Sequence, residues 1–323
     1  KKVTDYLLEE YARLGYSAKR TVKGGVIAEI GGEGDPILTM AHVDTLGAVV
    51  AEIKSNGRLR LSPVGGFNAN NAEAHNCRVY TYDGQIYEGT IQLADASLHV
   101  NKEYSTTQRT FQSVEVVLDE PVTSKDDVKA LGITNGCFVC ADPNLVVTNS
   151  GYIKSRFLDD KLSAAILLGY AKYIRENNIT PLRKVYQHMT VFEEVGHGAC
   201  ASIPEDVTEL LSVDMGCVGD GLECTERQVS ICAKDGHGPY NYQVTTGLVN
   251  AAKKDSIDYA VDIYPFYGSD ADAALSAGKD ARHGLIGAGV YASHGYERSH
   301  KDGVVNTFRL LCSYLNGNAP KMD

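Results

Sequence analysis

Two adjacent glutamates, Glu193 and Glu194, close an apolar run in the segment VFEEVG. Acids placed so can divide labour, one holding a metal ion and the other handling a proton. Residues 183–192 (RKVYQHMTVF) read as a buried strand and Val195-Gly196 as a turn. Neighbouring side chains of a strand point to opposite faces. Both carboxylates therefore reach one site only if the strand ends there and the backbone turns. The residues alone allow either glutamate to take either role. For an isolated pair the competing reading is a solvated surface turn, so the weight falls on its companions.

Those companions sit at similar places. His42 and Asp44 form an HxD pair at the end of a predicted strand. Being two apart, they share a face, and a metal-bound histidine commonly gives its second N–H to a carboxylate that fixes its tautomer. Asp159 and Asp160 stand in FLDDK, where a strong amphipathic helix begins. Helix capping accounts for acids at a helix start, but not for two of them flanked by Phe157 and Leu158. Asp214 ends the apolar run LLSV, where open α/β sheets place their ligands. His294 and His300 lie close together in ASHGYERSH. A histidine at each outer end with three acidic positions between them is a ligand set for two divalent ions, with zinc, cobalt and manganese all accepting such N/O donors.

The elements that must position these residues alternate between strand and helix. Spacing predicts a helix over 2–15, strands at 26–30 and 37–40, a helix over 158–176 and strands at 184–192 and 210–214. Helices over 240–253, 269–277 and 304–315 then interleave with strand-like runs at 258–264 and 285–290. Between them the texture changes to short alternating segments such as CRVYTYDGQIYEGTIQ, with one short helix in SKDDVKALG. The expected fold class is a three-layer α/β/α domain with a mixed sheet, formed by residues 1–50 and 149–323. A β-rich domain over 51–148 is inserted into it.

Composition narrows the function classes. Hydrophobic residues at 43% and charged residues at 22% describe an ordinary globular chain. A net charge of -10 argues against nucleic acid and anionic membranes as partners. The longest apolar stretch, Ala164 to Leu168, is far too short to cross a bilayer. No signal peptide or lipidation motif is visible. The eight cysteines are scattered, and Cys137 and Cys140 have no second CxxC to complete a zinc site. They read as structural thiols of a reducing cytosol, which makes the expected location cytoplasmic.

The series AHVDTLG, FLDDK, FEEVGHGA, SVDMG and ERSH resembles the dinuclear-metal aminopeptidases of the glutamyl/tetrahedral (TET) family, in the clan of cocatalytic zinc exopeptidases. The similarity covers essentially the whole chain, insertion included. FEEVGHGA and the LDD turn are its more specific motifs; HxD is shared by several related families. Position by position, the resemblance implies two divalent ions, zinc first, with cobalt or manganese as alternatives. His42 and Asp214 would hold one ion, Asp159 would bridge both, and Glu194 with His300 would hold the second. Glu193 would be the general base and Asp44 would orient His42. The same resemblance implies peptide substrates with a free N-terminus, a PDZ-like dimerisation insertion and a dodecamer built from dimers.

Three segments bear on that transfer. YERSHKDG stands where many members carry an IHS-type segment, which keeps His294 as an alternative to His300. HVDTLG replaces the common HMDEIG, so Thr45 stands in place of an acid. GSDADAA at 268–274 resembles a GTDA-like segment near the substrate. Other function classes fit less of the chain. A glycosidase would use Glu193 and Glu194 as its carboxylate pair but leaves the histidines idle, and tryptophan for a sugar platform is absent. A metal-stabilised binding module needs no spare base beside its ligands. A related exopeptidase or deacylase of the same clan would use the same residues.

Overall fold

The structure, a computed structural model describing residues 2–322, separates into two compact units. The larger takes the chain through Thr45, then Leu145–Ser293 and the segment from Glu297 onward. The smaller is Leu46–Asn144 together with His294–Tyr296.

In the larger unit, helix α1 (Lys2–Arg13) precedes strands β1 (Ala18–Arg20), β2 (Val26–Gly31) and β3 (Ile37–His42). The smaller unit supplies β4 (Gly47–Ile53), β5 (Leu59–Val64), α2 (Ala69–Ala72), β6 (His75–Tyr80), β7 (Ile86–Leu93), β8 (Val114–Leu118), α3 (Lys125–Ala130) and β9 (Phe138–Ala141). The larger unit resumes with β10 (Val146–Val147), β11 (Tyr152–Ser155), α4 (Leu158–Glu176), β12 (Val185–Thr190), β13 (Glu209–Val213), β14 (Gly216–Val218) and β15 (Val229–Lys234). It ends with α5 (Tyr242–Lys254), β16 (Tyr259–Ile263), α6 (Asp270–Ser276), β17 (Arg282–Tyr291), β18 (Glu297–His300) and α7 (Lys301–Asn316).

The sheet of the larger unit is mixed. Its middle is a parallel run in the order β12-β3-β13-β17, flanked by antiparallel partners on both sides. All six residues of β3 and of β12 are buried, as expected for central strands covered on both faces. Their side chains alternate between two cores. Ile37 and Ala41, with Val185 and Met189, pack into the large cluster that includes α1, α4, α5 and α7. Leu38, Met40 and Tyr186 pack on the opposite face against Ala271 and Ala274 of α6. Each central leucine so buried contributes about 1.5–3 kcal/mol relative to exposure. Gln187, on the large-cluster face, is fully buried yet satisfied: Tyr11 Oη donates to its Oε1 at 2.7 Å and its Nε2 donates to Leu167 O at 2.8 Å. That pair of bonds ties α1, β12 and α4 together.

The smaller unit is a closed barrel in the order β4-β5-β8-β7-β6-β9. Its interior holds Leu59, Leu61, Val79, Ile91, Val116 and Val139. Closure leaves no free strand edge. The buried Glu115 accepts from Lys54 at 2.5 Å and from Arg58 at 2.6 Å. The expected start of the insertion at residue 51 falls inside β4, whose pairing with β5 begins at Gly47↔Val64 and carries the boundary back to Leu46. At the other end β10 pairs with β11, which carries the boundary from residue 148 back to Asn144. Strands β1, β11, β14, β15 and β18 have no counterpart in the sequence reading. The polar ERSH of β18 is a strand because it pairs with β11 over four residues.

His188 on β12 is 2% exposed, and its Nδ1 has no hydrogen-bond partner among the described residues. Burial, with some help from the charge of Lys23, pushes its pKa down to about 4. The unfolded imidazole binds its proton near 6.5, so between those values the unfolded state holds more protons and stability falls as pH drops. The loss should approach about 3 kcal/mol across the window. Denaturant melts of His188→Leu between pH 7 and pH 4 should show a flatter pH dependence than the parent; equal slopes would contradict the assignment.

Candidate active site

The parallel strands end together, and the predicted chemistry sits at those ends. His42 is the last residue of β3 and pairs in register with Thr190, the last of β12. Asp214 follows β13 directly. Asp159 and Asp160 lie at the start of α4, but with non-helical backbone angles, and the peptide bond between them is cis. Their carboxylates turn toward the strand ends rather than cap the helix. This is the crevice at the carboxyl ends of the strands, where α/β sheets bind ligands.

Donor atoms converge closely there. His42 Nε2 lies 2.9 Å from Asp159 Oδ1 and 3.6 Å from Glu193 Oε2. Three groupings each place their ligand atoms within 4.8 Å of one another: His42, Asp159 and Glu194; His42, Glu193 and Asp214; and Asp159, Asp160 and Asp214. The His42 amide donates to Asp160 Oδ2 at 3.1 Å, while the buried Asp160 Oδ1 has no partner among the described residues. Glu297 accepts from the Asp159 amide at 3.1 Å. Asp214 Oδ1 accepts from the Met215 amide at 2.5 Å, and Ser163 Oγ donates to the Asp214 carbonyl at 3.2 Å. Gly287 makes room for that carbonyl, since a Cβ there would come within 1.7 Å of it.

Asp44 links the histidine to the two glutamates. Its Oδ1 accepts from the Glu193 amide at 3.2 Å and its Oδ2 from the Glu194 amide at 3.3 Å. His42 Nδ1 faces the Asp44 carbonyl at 3.3 Å and its carboxylate at 3.6 Å. A proton on Nδ1 leaves the Nε2 lone pair directed at the acidic cluster. The strand ends at Thr190, and Phe192 takes a left-handed φ of 70°. A tight turn follows, closed by Gly196 N donating to Glu193 O at 2.7 Å and His197 N to Phe192 O at 3.1 Å. Both glutamates thus leave the strand geometry, as a shared site demands. The left-handed conformation costs a non-glycine residue of order 1–3 kcal/mol.

Electrostatics mark the cluster out. Burial, then the charge of Asp159, raises Asp214 to about 7. Burial and Asp214 push Asp160 well above the carboxylate range. Glu193 is raised well above its ordinary value by burial and by Asp214, Asp270 and Asp159, against the opposing pull of His42. For His42, burial disfavours the charged ring, but hydrogen bonds to Asp159 and Asp44 outweigh it and raise the pKa. Carboxylates crowded and dehydrated in this way repel one another. A divalent cation accepts such donors and supplies the missing positive charge. The donor set therefore fits metal ions held by nitrogen and oxygen.

One expected ligand lies elsewhere. The structure does not bring His300 to the cluster: its Nε2 lies 2.8 Å from Ser150 O, and its Nδ1 accepts from the Asp302 amide at 3.1 Å, capping α7. Both ring nitrogens are committed, which leaves no lone pair for an ion. His294 belongs to the smaller unit, where its carbonyl accepts from Asn71 and a Cβ on Gly66 would come within 2.5 Å of its Nδ1. Two contributors went unassigned in the sequence. Asp160 was noticed without a role. Asp270, in the GSDADAA segment, reaches the loop of the glutamates rather than a ligand: its Oδ2 accepts from Thr190 Oγ1 at 2.5 Å and its Oδ1 from the Ala199 amide at 2.7 Å. No local pattern announces a contact between residues 71 or more apart in sequence.

Comparison with known proteins agrees with this geometry. The family profile described as M42 glutamyl aminopeptidase matches residues 24–310. The chain is 46% identical over 298 residues to YhfE of Bacillus subtilis (strain 168), provisionally named an aminopeptidase, covering 92% of this chain and 86% of that protein. A TET aminopeptidase from the marine sediment archaeon Thaumarchaeota archaeon SCGC AB-539-E09 shares the fold with a TM-score of 0.87 at 18% identity, covering 97% of this chain and 90% of that one. The PhTET1-12s structure, solved as a dodecamer, superposes with a TM-score of 0.82 at 21% identity over 96% of this chain and 91% of that one. With the profile spanning most of its length, the chain belongs to the M42 glutamyl aminopeptidase family.

Proposed function

We propose that the protein is a metal-dependent aminopeptidase that removes residues from the free N-terminus of peptides. The observation that carries this reading is the convergence of buried His42, Asp159 and Asp214 with half-buried Glu194, beside a further carboxylate, Glu193, in a chain of this family. His42 and Asp214 would hold one divalent ion and Glu194 the second, with Asp159 shared between them. Zinc suits these donors best, and cobalt or manganese would also be accepted. Ions so held polarise a scissile carbonyl and lower the pKa of water toward neutrality.

The chain's own residues supply the rest. Glu193, made basic by burial among acids, takes the proton of the attacking water and hands it to the leaving amine. Asp44 holds the amides of both glutamates and orients His42, so base and ligands share one anchor. Since His300 is committed to Ser150 and Asp302, it is left out of the proposed ligand set. The barrel unit is proposed as a PDZ-like dimerisation module, and the assembly as a dodecamer, the state in which PhTET1-12s was solved. Among the described residues no helix is long and apolar enough to cross a membrane, and all eight cysteines are free. A cytoplasmic location fits both.

Chelator-treated protein should cleave none of a panel of aminoacyl-p-nitroanilides, and turnover should return when zinc, cobalt or manganese is added. N-acetylated substrates should stay intact. Silence across the panel with every metal would overturn the reading. Glu193→Gln should lose about 10²–10⁴-fold in kcat with unchanged metal content; wild-type turnover would remove Glu193 from the role of base. Asp159→Ala should lose bound metal, so that cobalt no longer raises its thermal midpoint as it does for the parent. Metal analysis of His300→Ala should find both ions retained; loss of one would return His300 to the ligand set.

A further inference from the structure

We propose that Asp270 is a positioning residue that closes the base of the glutamate-bearing loop and thereby sets where Glu193 and Glu194 stand. The inference rests on the aminopeptidase reading for its kinetic consequence, but the clamp itself is geometric. Residues 191–198 leave the sheet after Thr190, and the chain re-enters the core at Ala199. Asp270 Oδ2 accepts from the Thr190 hydroxyl at 2.5 Å and Oδ1 from the Ala199 amide at 2.7 Å, so one carboxylate grips both ends. The grip is dry, with Asp270 3% and Ala199 0% exposed. Gly198 permits it, because a Cβ there would lie 2.1 Å from Asp270 Oδ1.

The carboxylate is not needed by its own helix. The start of α6 is tied by Asp272, which accepts from the Ser269 amide and hydroxyl, both at 2.9 Å. The mount is rigid as well. The Ala271 amide donates to Ser212 Oγ at 3.0 Å, and Ala271 and Ala274 are buried against β3 and β13 residues. From the outer side Lys23 donates to the carbonyls of His197 and Gly198, while Asp44 holds the loop's middle. Asp270 is the member of this set that spans the loop from end to end. A reacting group displaced by about 1 Å loses about 10²-fold in rate, so the clamp should be visible in kcat.

The test compares the metal-loaded parent with Asp270→Ala, Asp270→Asn and Thr190→Val, by steady-state kinetics on an aminoacyl-p-nitroanilide and by hydrogen exchange. Asp270→Ala should lower kcat about 100-fold with KM changed less than about threefold, because positioning acts in the transition state. The amides of Glu193, Glu194 and Ala199 should exchange at least about tenfold faster, while those of α4 and β13 stay protected. Asp270→Asn keeps an acceptor for Ala199 and a donor for the Thr190 hydroxyl, so it should stay within about tenfold of the parent. Thr190→Val should follow Asp270→Ala in direction. Unchanged exchange in the loop, a loss confined to KM, or faster exchange throughout the larger unit would each overturn the clamp. If the parent itself turns over no aminoacyl substrate, the functional reading fails and the exchange data alone decide the clamp.

Discussion

Burying several carboxylates together is unfavourable unless positive charge or hydrogen bonds compensate them, and the two ends of the parallel strands answer that constraint differently. At their amino ends, Glu209 is matched by Arg183 at 2.6 Å and Arg282 at 3.2 Å, with a further bond from Tyr314 at 2.7 Å. Asp35 is paired with Arg282 at 2.7 Å. That end is electrically balanced. At the carboxyl ends Asp159, Asp160, Glu193 and Asp214 crowd around His42, whose ring pairs with Asp159 at 2.9 Å and Glu193 at 3.6 Å. Asp160 Oδ1 has no hydrogen-bond partner among the described residues. The same sheet thus matches its acids with arginines where they serve structure and crowds them together where they can serve cations.

The turn after β12 converts that acidity into two different roles. The end of the strand at Thr190 and the left-handed Phe192 free neighbouring glutamates from opposite faces. Asp44 then catches both of their amides, while Lys23 and Asp270 hold the far end of the loop. With the backbone over-determined in this way, small differences in side-chain direction decide which carboxylate lies with His42 and Asp159 and which with His42 and Asp214. Such restraint is what holds a reacting group near its productive geometry.

Much of this was legible in the residues, for a physical reason. HxD, DD, EE and Asp214 all follow apolar periodicity to the point where it breaks, and in an α/β sheet those breaks gather at one edge. The α/β sheet with helices on both faces followed from the same alternation. What the sequence hid were contacts made by polar residues across long separations. Asp270 reaching Ala199, His300 turning to Ser150 and the ERSH segment joining β11 leave no periodic trace. The barrel boundary was blurred because β4 begins before the composition changes, at Gly47. The order of labour within the glutamate pair came from the family resemblance, since either residue fits either role on sequence alone.

The central claim is that the acids crowded at the strand ends hold two divalent ions. Anomalous diffraction from crystals grown with zinc or cobalt, collected at the absorption edge of that metal, tests it most directly. The account predicts two peaks per chain that share Asp159, one of them next to His42 and Asp214 and the other next to Glu194. An empty cluster in metal-saturated crystals, or peaks that avoid Asp159, would contradict it.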